Sequence, residues 1–327
     1  MAAAEDLKIA SIRPRRTVAG MLLALAAVLA GALTWGWTPD ADPEELASHY
    51  ARPGDFFVDV GGLRVRVRDE GPRDAPAVVL LHGSAASLET WDAWAKRLGG
   101  RYRLIRYDQP GHGLTGPHPR RDYSAAAFGD VLHGVTERLG ARRFTLVGSS
   151  MGGWVAYNYA AAHPERVERL VLVDAYGAPN QAEVRLPWGF RIARSPLLSP
   201  LLLRLTPRST VAAGLRDSVA DPALVTDAMI DRYWSFLRYP GNRQAMIDQF
   251  RTMRPDANPG QLRRMAVPTL ILWGGQDRLT PRANGRWFAR HIAGSRVIAY
   301  SDVAHLPMEE AADRSSADFS AWVDGTK

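Results

Sequence analysis

One pentapeptide constrains this chain more than any other feature. Gly148-Ser149-Ser150-Met151-Gly152 follows the apolar run FTLV and opens the helical pattern MGGWVAYNYAAAHP. A G-x-S-x-G at a strand-to-helix junction places its serine on a tight, strained turn, and the glycines let neighbouring backbone approach closely. The Ser150 hydroxyl then stands above a sheet edge, at the positive end of a helix. Ser149 holds the variable position of the motif and reads as structural.

The surrounding pattern supplies the context that such a turn needs. FFVDVGG and LRVRVRDEG read as an antiparallel pair, because LRVRVRDE alternates apolar and charged residues at period two. APAVVLLHG is a continuous apolar run, as a strand buried on both faces requires. Amphipathic SLETWDAWAKRLG, strand-like RLIRYD, helical DYSAAAFGDVLHGVTERLG and the strand FTLVGSS follow in turn. The helix after Ser150 stops near Pro164, and RLVLVDAYG is another strand. The rhythm breaks over 178–266, then resumes with PTLILWGGQD, PRANGRWFARHIAG, RVIAYSD and a helix near Glu309–Trp322. Strand–helix alternation of this kind predicts a parallel sheet covered on both faces.

A serine at its ordinary pKa is a poor nucleophile, so it needs a base, and the base needs an orienting acid. Among the histidines, His305 follows the last strand, in SDVAHLPMEE, on a loop that reaches the carboxyl edge of the sheet. His82 ends a strand and suits a loop-shaping role; His112 sits in a turn-rich loop; His163 and His291 fall near helix ends; His49, His118 and His133 fall in linker, loop and helix. Two aspartates end core strands. Asp277 lies on the Gly274-Gly275-Gln276 turn and precedes His305 by one helix and one strand; it is the expected acid, with Asp174 as its rival and a structural carboxylate otherwise. The oxyanion donors expected are the backbone N–H groups of Met151 and of Ser84, or failing that Ala85, in LLHGSAAS, where Gly83 lets the loop bend inwards.

Together LLHGS, YDQPGHGLT, LVGSSMGG, WGGQDRLTP and VAHLPMEE, in the order serine, acid, histidine, resemble the α/β-hydrolase superfamily over roughly residues 55–325. The resemblance implies an α/β fold with an eight-stranded, mostly parallel sheet, helices on both faces and a cap inserted after the sixth strand. The domains expected are a core over 55–177 and 267–327 and a cap over 178–266. Serine at position 150 separates the chain from dehalogenases and epoxide hydrolases of the superfamily, which carry aspartate there. The pattern is most similar to capped serine esterases, monoacylglycerol lipases and meta-cleavage-product hydrolases. Gln109 and Leu114-Thr115 depart from the commoner loop residues.

Three activities remain in view. The first is hydrolysis of esters of apolar acyl groups through an acyl-enzyme. The second is carbon–carbon bond hydrolysis with the same residues, which wants arginine or polar groups for a substrate carboxylate. The third is a non-catalytic receptor. No cofactor or metal is called for, and the absence of cysteine excludes thiolate nucleophiles and disulfides.

The net charge of +7 is unevenly spread. Most of the surplus falls on the arginines of 178–266, which predicts a positive surface there. No basic-aromatic module of a nucleic-acid reader occurs, so no nucleic-acid partner is expected. From Thr17 to Trp37 the chain runs TVAGMLLALAAVLAGALTWGW without a charge, enough helix to span roughly 30 Å. Arg13, Arg15 and Arg16 precede it, and Trp35 and Trp37 end it. This predicts a transmembrane anchor over 17–37, a cytoplasmic N-terminus over 1–16 and a catalytic body on the extracytoplasmic side. A signal peptide cleaved at Ala30-Gly31-Ala32, giving a secreted enzyme, is the alternative. Residues 38–54 read as a linker or short surface helix. In the cap, LPWGFRIARSPLLSPLLLRL (Leu186–Leu205) fits either a lid that lines the acyl pocket or an interfacial segment meeting lipid.

Overall fold

The computed structural model describes residues 14–179, 184–255 and 257–325. Eight strands, β1 (Asp55–Val60), β2 (Leu63–Glu70), β3 (Ala77–Leu81), β4 (Arg103–Tyr107), β5 (Phe144–Ser149), β6 (Val167–Val173), β7 (Thr269–Gly274) and β8 (Arg296–Tyr300), form one sheet. Its order is β1-β2-β4-β3-β5-β6-β7-β8. β2 runs antiparallel to β1 and β4, and the other pairings are parallel, as expected.

The apolar runs have a direct reason. Val78, Leu80, Leu270 and Leu272 point to one face of the sheet, where they meet Trp94 and Leu98 of α3 (Asp92–Leu98) and Phe319 and Trp322 of α14 (Ala312–Gly325). Val79, Leu81, Ile271 and Trp273 point to the other. There they join the layer built by α4 (Ala125–Arg138), α5 (Met151–Ala162), α11 (Pro259–Arg264) and α12 (Arg282–His291). Each large apolar side chain so removed from water contributes about 1.5–3 kcal/mol.

Periodicity located β2 but not the environment of its charged face. Arg66 and Arg68 are buried. Arg66 meets Asp55 and Glu89 at 2.6 Å and Asp108 at 3.2 Å, and Arg68 bridges Asp55 and Glu89. Asp108 also accepts from Leu88 N at 2.8 Å and Leu114 N at 2.9 Å. The cluster therefore ties β1 and β2 to the loops after β3 and β4, which frame the site.

The described segment after β6 carries α6 (Trp188–Arg194), α7 (Ser199–Leu202), α8 (Arg208–Asp217), α9 (Asp227–Leu237) and α10 (Asn242–Thr252) ahead of α11. They form the roof over the carboxyl edge of the sheet. Ala193, Leu202, Met246, Ile247 and Phe250 make its small core. Within Leu186–Leu205, Leu202 turns inwards while Leu197 is 88% exposed and Leu198 and Leu201 also face out.

The expected 17–37 span coincides with α1 (Pro14–Gly36). Residues 1–13 of the expected cytoplasmic stretch lie outside the described residues. Among the described residues no helix is long and apolar enough to cross a membrane; the side chains of Leu25, Val28, Leu29, Leu33 and Trp35 in α1 are not among them. After α1 the backbone runs along the cap. Trp37 bridges Leu205, Thr38 N donates to Arg204 O at 2.7 Å, and Ala41 N donates to Arg238 O at 2.9 Å. α2 (Pro43–Tyr50) is capped by Asp42, and its Leu46 packs on Leu114 and Phe236.

Candidate active site

Ser150 sits between β5 and α5 with φ 52° and ψ −115°, a strained conformation for a residue with a Cβ. Three backbone bonds hold it: Ser150 N to Val173 O at 2.9 Å, and Tyr176 N and Trp154 N to Ser150 O at 2.9 and 3.1 Å. A Cβ on Gly152 would lie 2.4 Å from Leu81 O, so α5 packs this closely on β3 only with glycine there. The Ser150 hydroxyl makes no capping bond to α5. A Cβ on Gly83 would fall 3.1 Å from Ser150 Cβ, which brings the backbone of the Ser84 loop against the serine. Ala85 in that loop also has positive φ, 60°.

His305 and Asp277 are paired. His305 Nδ1 donates to Asp277 Oδ2 at 2.7 Å, which leaves Nε2 as the free acceptor. Burial alone would push the Asp277 carboxyl up; the facing His305 and the donors of Thr280 outweigh it and hold it below the usual carboxylate range. Asp277 Oδ1 accepts from Leu279 N at 2.7 Å and Thr280 N at 3.1 Å, and Oδ2 accepts from Thr280 Oγ1 at 2.5 Å. Asp174 lies beside Asp277 with no bond to His305.

His82 cannot serve as base in this arrangement. It is fully buried, its Nδ1 donates to Gly83 O at 2.8 Å, and its Nε2 accepts from Gln109 N at 2.9 Å. Gln109, the departure in the loop after β4, also donates through Nε2 to His82 O at 2.6 Å. It braces the strand end that leads into the Ser84 loop.

Sequence reasoning missed Thr280 and Glu310. Thr280 lies three residues beyond Asp277, the spacing of a side chain that closes a turn back on its carboxylate, and that was the available signal. Glu310, on α13 (Pro307–Glu310), accepts from Ala304 N and Leu306 N, on either side of His305, and from Ala220 N of the cap at 2.7 Å. His305 N itself donates to Ser218 O at 3.0 Å. Nothing local in SDVAHLPMEE announces these contacts.

A cavity of about 120 Å³ joins Ser84, Ser150 and His305. Apolar side chains dominate its wall, among them Phe190, Leu202, Leu215, Met246 and Leu279. No arginine or lysine occurs among the described residues that line it. Among the described residues, no group of three or more histidine or acidic side chains could hold a metal ion.

A model of the alpha/beta hydrolase fold matches residues 76–312. An uncharacterized protein of Mycobacterium tuberculosis is 30% identical over 268 residues, 78% of this chain and 76% of that one. A 2-hydroxy-6-oxononadienedioate/2-hydroxy-6-oxononatrienedioate hydrolase of Klebsiella pneumoniae is 28% identical over 274 residues, 78% of this chain and 90% of that one. Among solved structures, a membrane phospholipase A described as a bacterial virulence factor superposes with a TM-score of 0.74 at 25% identity, covering 95% of this chain and 98% of the other.

Proposed function

Since this chain belongs to the α/β-hydrolase family, we propose that it cleaves carboxylic esters of apolar acyl groups through a serine-bound acyl intermediate. Ser150 Oγ attacks the ester carbonyl while His305 Nε2 takes its proton, and Asp277 steadies the imidazolium. The oxyanion is held by the N–H groups of Met151 and Ser84, a donor of this kind being worth about 3–4 kcal/mol of barrier. Collapse expels the alcohol with the proton from His305. Water, deprotonated by His305, then attacks the acyl-enzyme, and the carboxylic acid leaves Ser150 free.

The observation that carries this reading is the wall of the cavity. Its apolar side chains suit an acyl chain, and no cation stands among the described residues that line it. The similarity to the Klebsiella pneumoniae hydrolase favours a second reading, carbon–carbon bond cleavage, but that enzyme's substrates are dioates and need a charged partner. Fluorophosphonate labelling followed by a chain-length series of nitrophenyl esters, alongside a dienol diketone acid, tests both. Ester turnover that peaks at medium or long acyl chains supports the first reading; turnover of the diketone acid alone overturns it.

The same reading includes a membrane. Val18, Met21, Leu22 and Leu23 of α1 stand exposed, in a run without charge. Trp37 after α1 and Trp188, Leu197, Leu198 and Leu201 on the cap are exposed as well, with Arg191, Arg194 and Arg204 interleaved along the cap sequence. Such a surface suits a chain anchored through α1, its body on the extracytoplasmic side and its cap against anionic lipid. The full chain then sediments with membranes and resists salt extraction; recovery of the full chain, N-terminus intact, in the soluble fraction sinks the anchor. If the body freed of α1 ignores anionic liposomes at low salt, the cap is a lid only.

A further inference from the structure

Asp174 is a buried ionisable group that the reaction above does not use. It ends β6 with φ 45°, and it is 0% exposed. Its backbone N donates to Leu272 O at 3.1 Å, and its carbonyl oxygen lies 3.0 Å from Thr280 Oγ1, whose one proton goes to the nearer Asp277 Oδ2 at 2.5 Å. One carboxyl oxygen accepts from Gly274 N at 2.9 Å. The other, Oδ2, is buried and receives no donor. Its carboxyl neighbour is Asp277: Thr280 Oγ1 stands between them, against the Asp174 carbonyl and Asp277 Oδ2, and the charge of Asp277 acts on the Asp174 carboxyl.

Two neighbouring carboxylates enclosed away from water oppose one another's ionisation. The donors decide which one keeps a proton. Asp277 receives two backbone N–H groups, the Thr280 hydroxyl and His305 Nδ1–H. Asp174 receives one N–H. An ionised Asp174 would leave a buried oxygen bare beside a second anion, whereas a protonated carboxyl can turn a donor to Asp277.

We propose that Asp174 is a neutral carboxylic acid whose Oδ2 proton is donated to Asp277, making it a positioning residue for the carboxylate that orients His305. This rests on the reading of Ser150, His305 and Asp277 as the catalytic set. The electrostatics point the same way. Burial pushes the Asp174 carboxyl well above the usual range, Asp277 and Glu310 push it further, and only the Gly274 N–H opposes them. Tyr300 of β8 also senses it, and burial pushes that phenol up as well. The proton on Asp174 thus gives Asp277 a further donor without adding charge to the site.

The test separates a donor from a charge and from a filler. Asp174→Asn keeps a neutral donor; Asp174→Ala keeps none. The Asn variant should retain kcat to within about threefold, and the Ala variant should lose about ten- to hundredfold in kcat at unchanged KM, the scale of a misplaced catalytic group. The downfield imidazole proton of His305 should persist in Asn and weaken in Ala. Infrared difference spectra of wild type against Asp174→Asn at neutral pH should contain a protonated-carboxyl stretch, a readout independent of turnover. Absence of that band, or an Asn variant as impaired as Ala, overturns the proposal. A wild-type chain that hydrolyses no ester and takes no fluorophosphonate, yet retains the band, refutes the catalytic reading and leaves the shared proton standing.

Discussion

Arg243 of α10 donates to the carbonyl of Thr38 at 2.6 Å and to Asp40 Oδ1 at 2.5 Å, and its side chain is 2% exposed. The segment that follows α1 is thus fastened to the helix that places Met246 in the cavity wall. A chain beginning at Gly36 keeps these bonds and should match the full chain in stability and turnover. One beginning at Asp42 strands the Arg243 guanidinium and should lose about 1–3 kcal/mol, the cost of an unsatisfied buried donor. Urea midpoints of the two truncations check this; equal midpoints would make the fastening irrelevant.

Ser150 separates chemistry from strain. Ser150→Ala removes the nucleophile and should abolish turnover and probe labelling, with the fold intact. Ser150→Gly should be equally inactive but more stable than the Ala variant by about 1 kcal/mol, because glycine adopts the positive φ without a Cβ clash. Asp277→Asn should cost about 10⁴-fold in kcat, since the His305 tautomer is no longer enforced. Retained activity in Ser150→Ala would end the serine-hydrolase reading.

The buried cluster on β2 makes a further demand. Arg66 faces Asp55, Glu89 and Asp108 at once. Arg66→Met should destabilise by about 3–5 kcal/mol, because three enclosed carboxylates lose their shared cation. A midpoint shift below about 1 kcal/mol would mean that water reaches these groups.

Stability should also carry a distinctive pH dependence. Burial holds His82 at about 4 and, with His82 nearby, holds His112 at about 3, both down from 6.5. Between about pH 6.5 and 4 the unfolded chain binds both protons and the folded chain neither, so these two groups lower stability as pH falls. Asp174 acts oppositely, since its folded form keeps a proton that the unfolded chain releases above about 4. These three groups alone contribute a slope near one proton, about 1.4 kcal/mol per pH unit, to which His118, also lowered by burial, adds. His112→Asn should lower the measured slope by about one proton and Asp174→Asn should raise it by about one. Identical slopes in all three proteins would contradict the assignment.

The site was legible where its requirements are local. Glycine at 148 and 152, apolar runs before Ser150 and Asp277, and a histidine after the last strand each follow from the geometry of one turn or one strand. What escaped is carried by contacts distant in sequence. Alternation in LRVRVRDE fixes which residues share a face, but only the tertiary packing of Asp55, Glu89 and Asp108 sets that face's surroundings. The neutral acid proposed for Asp174 has no signal in the sequence, because Asp277 lies at the end of a different strand. Thr38 read as linker because Arg243 is two hundred residues away.

The peptide that carries His305 is also part of the roof. His305 N is bonded to Ser218 O, and Glu310 grips Ala304, Leu306 and Ala220 together. On the proposed reading, substrate range and rate should therefore change together. A roof grafted from a relative brings its own pocket but not this hinge. Such a chimera should bind its new ester and turn it over slowly until the 218–220 backbone is restored; full rates without that restoration would mean that the hinge is idle. Selection for a new substrate would then have to adjust the base as well as the pocket.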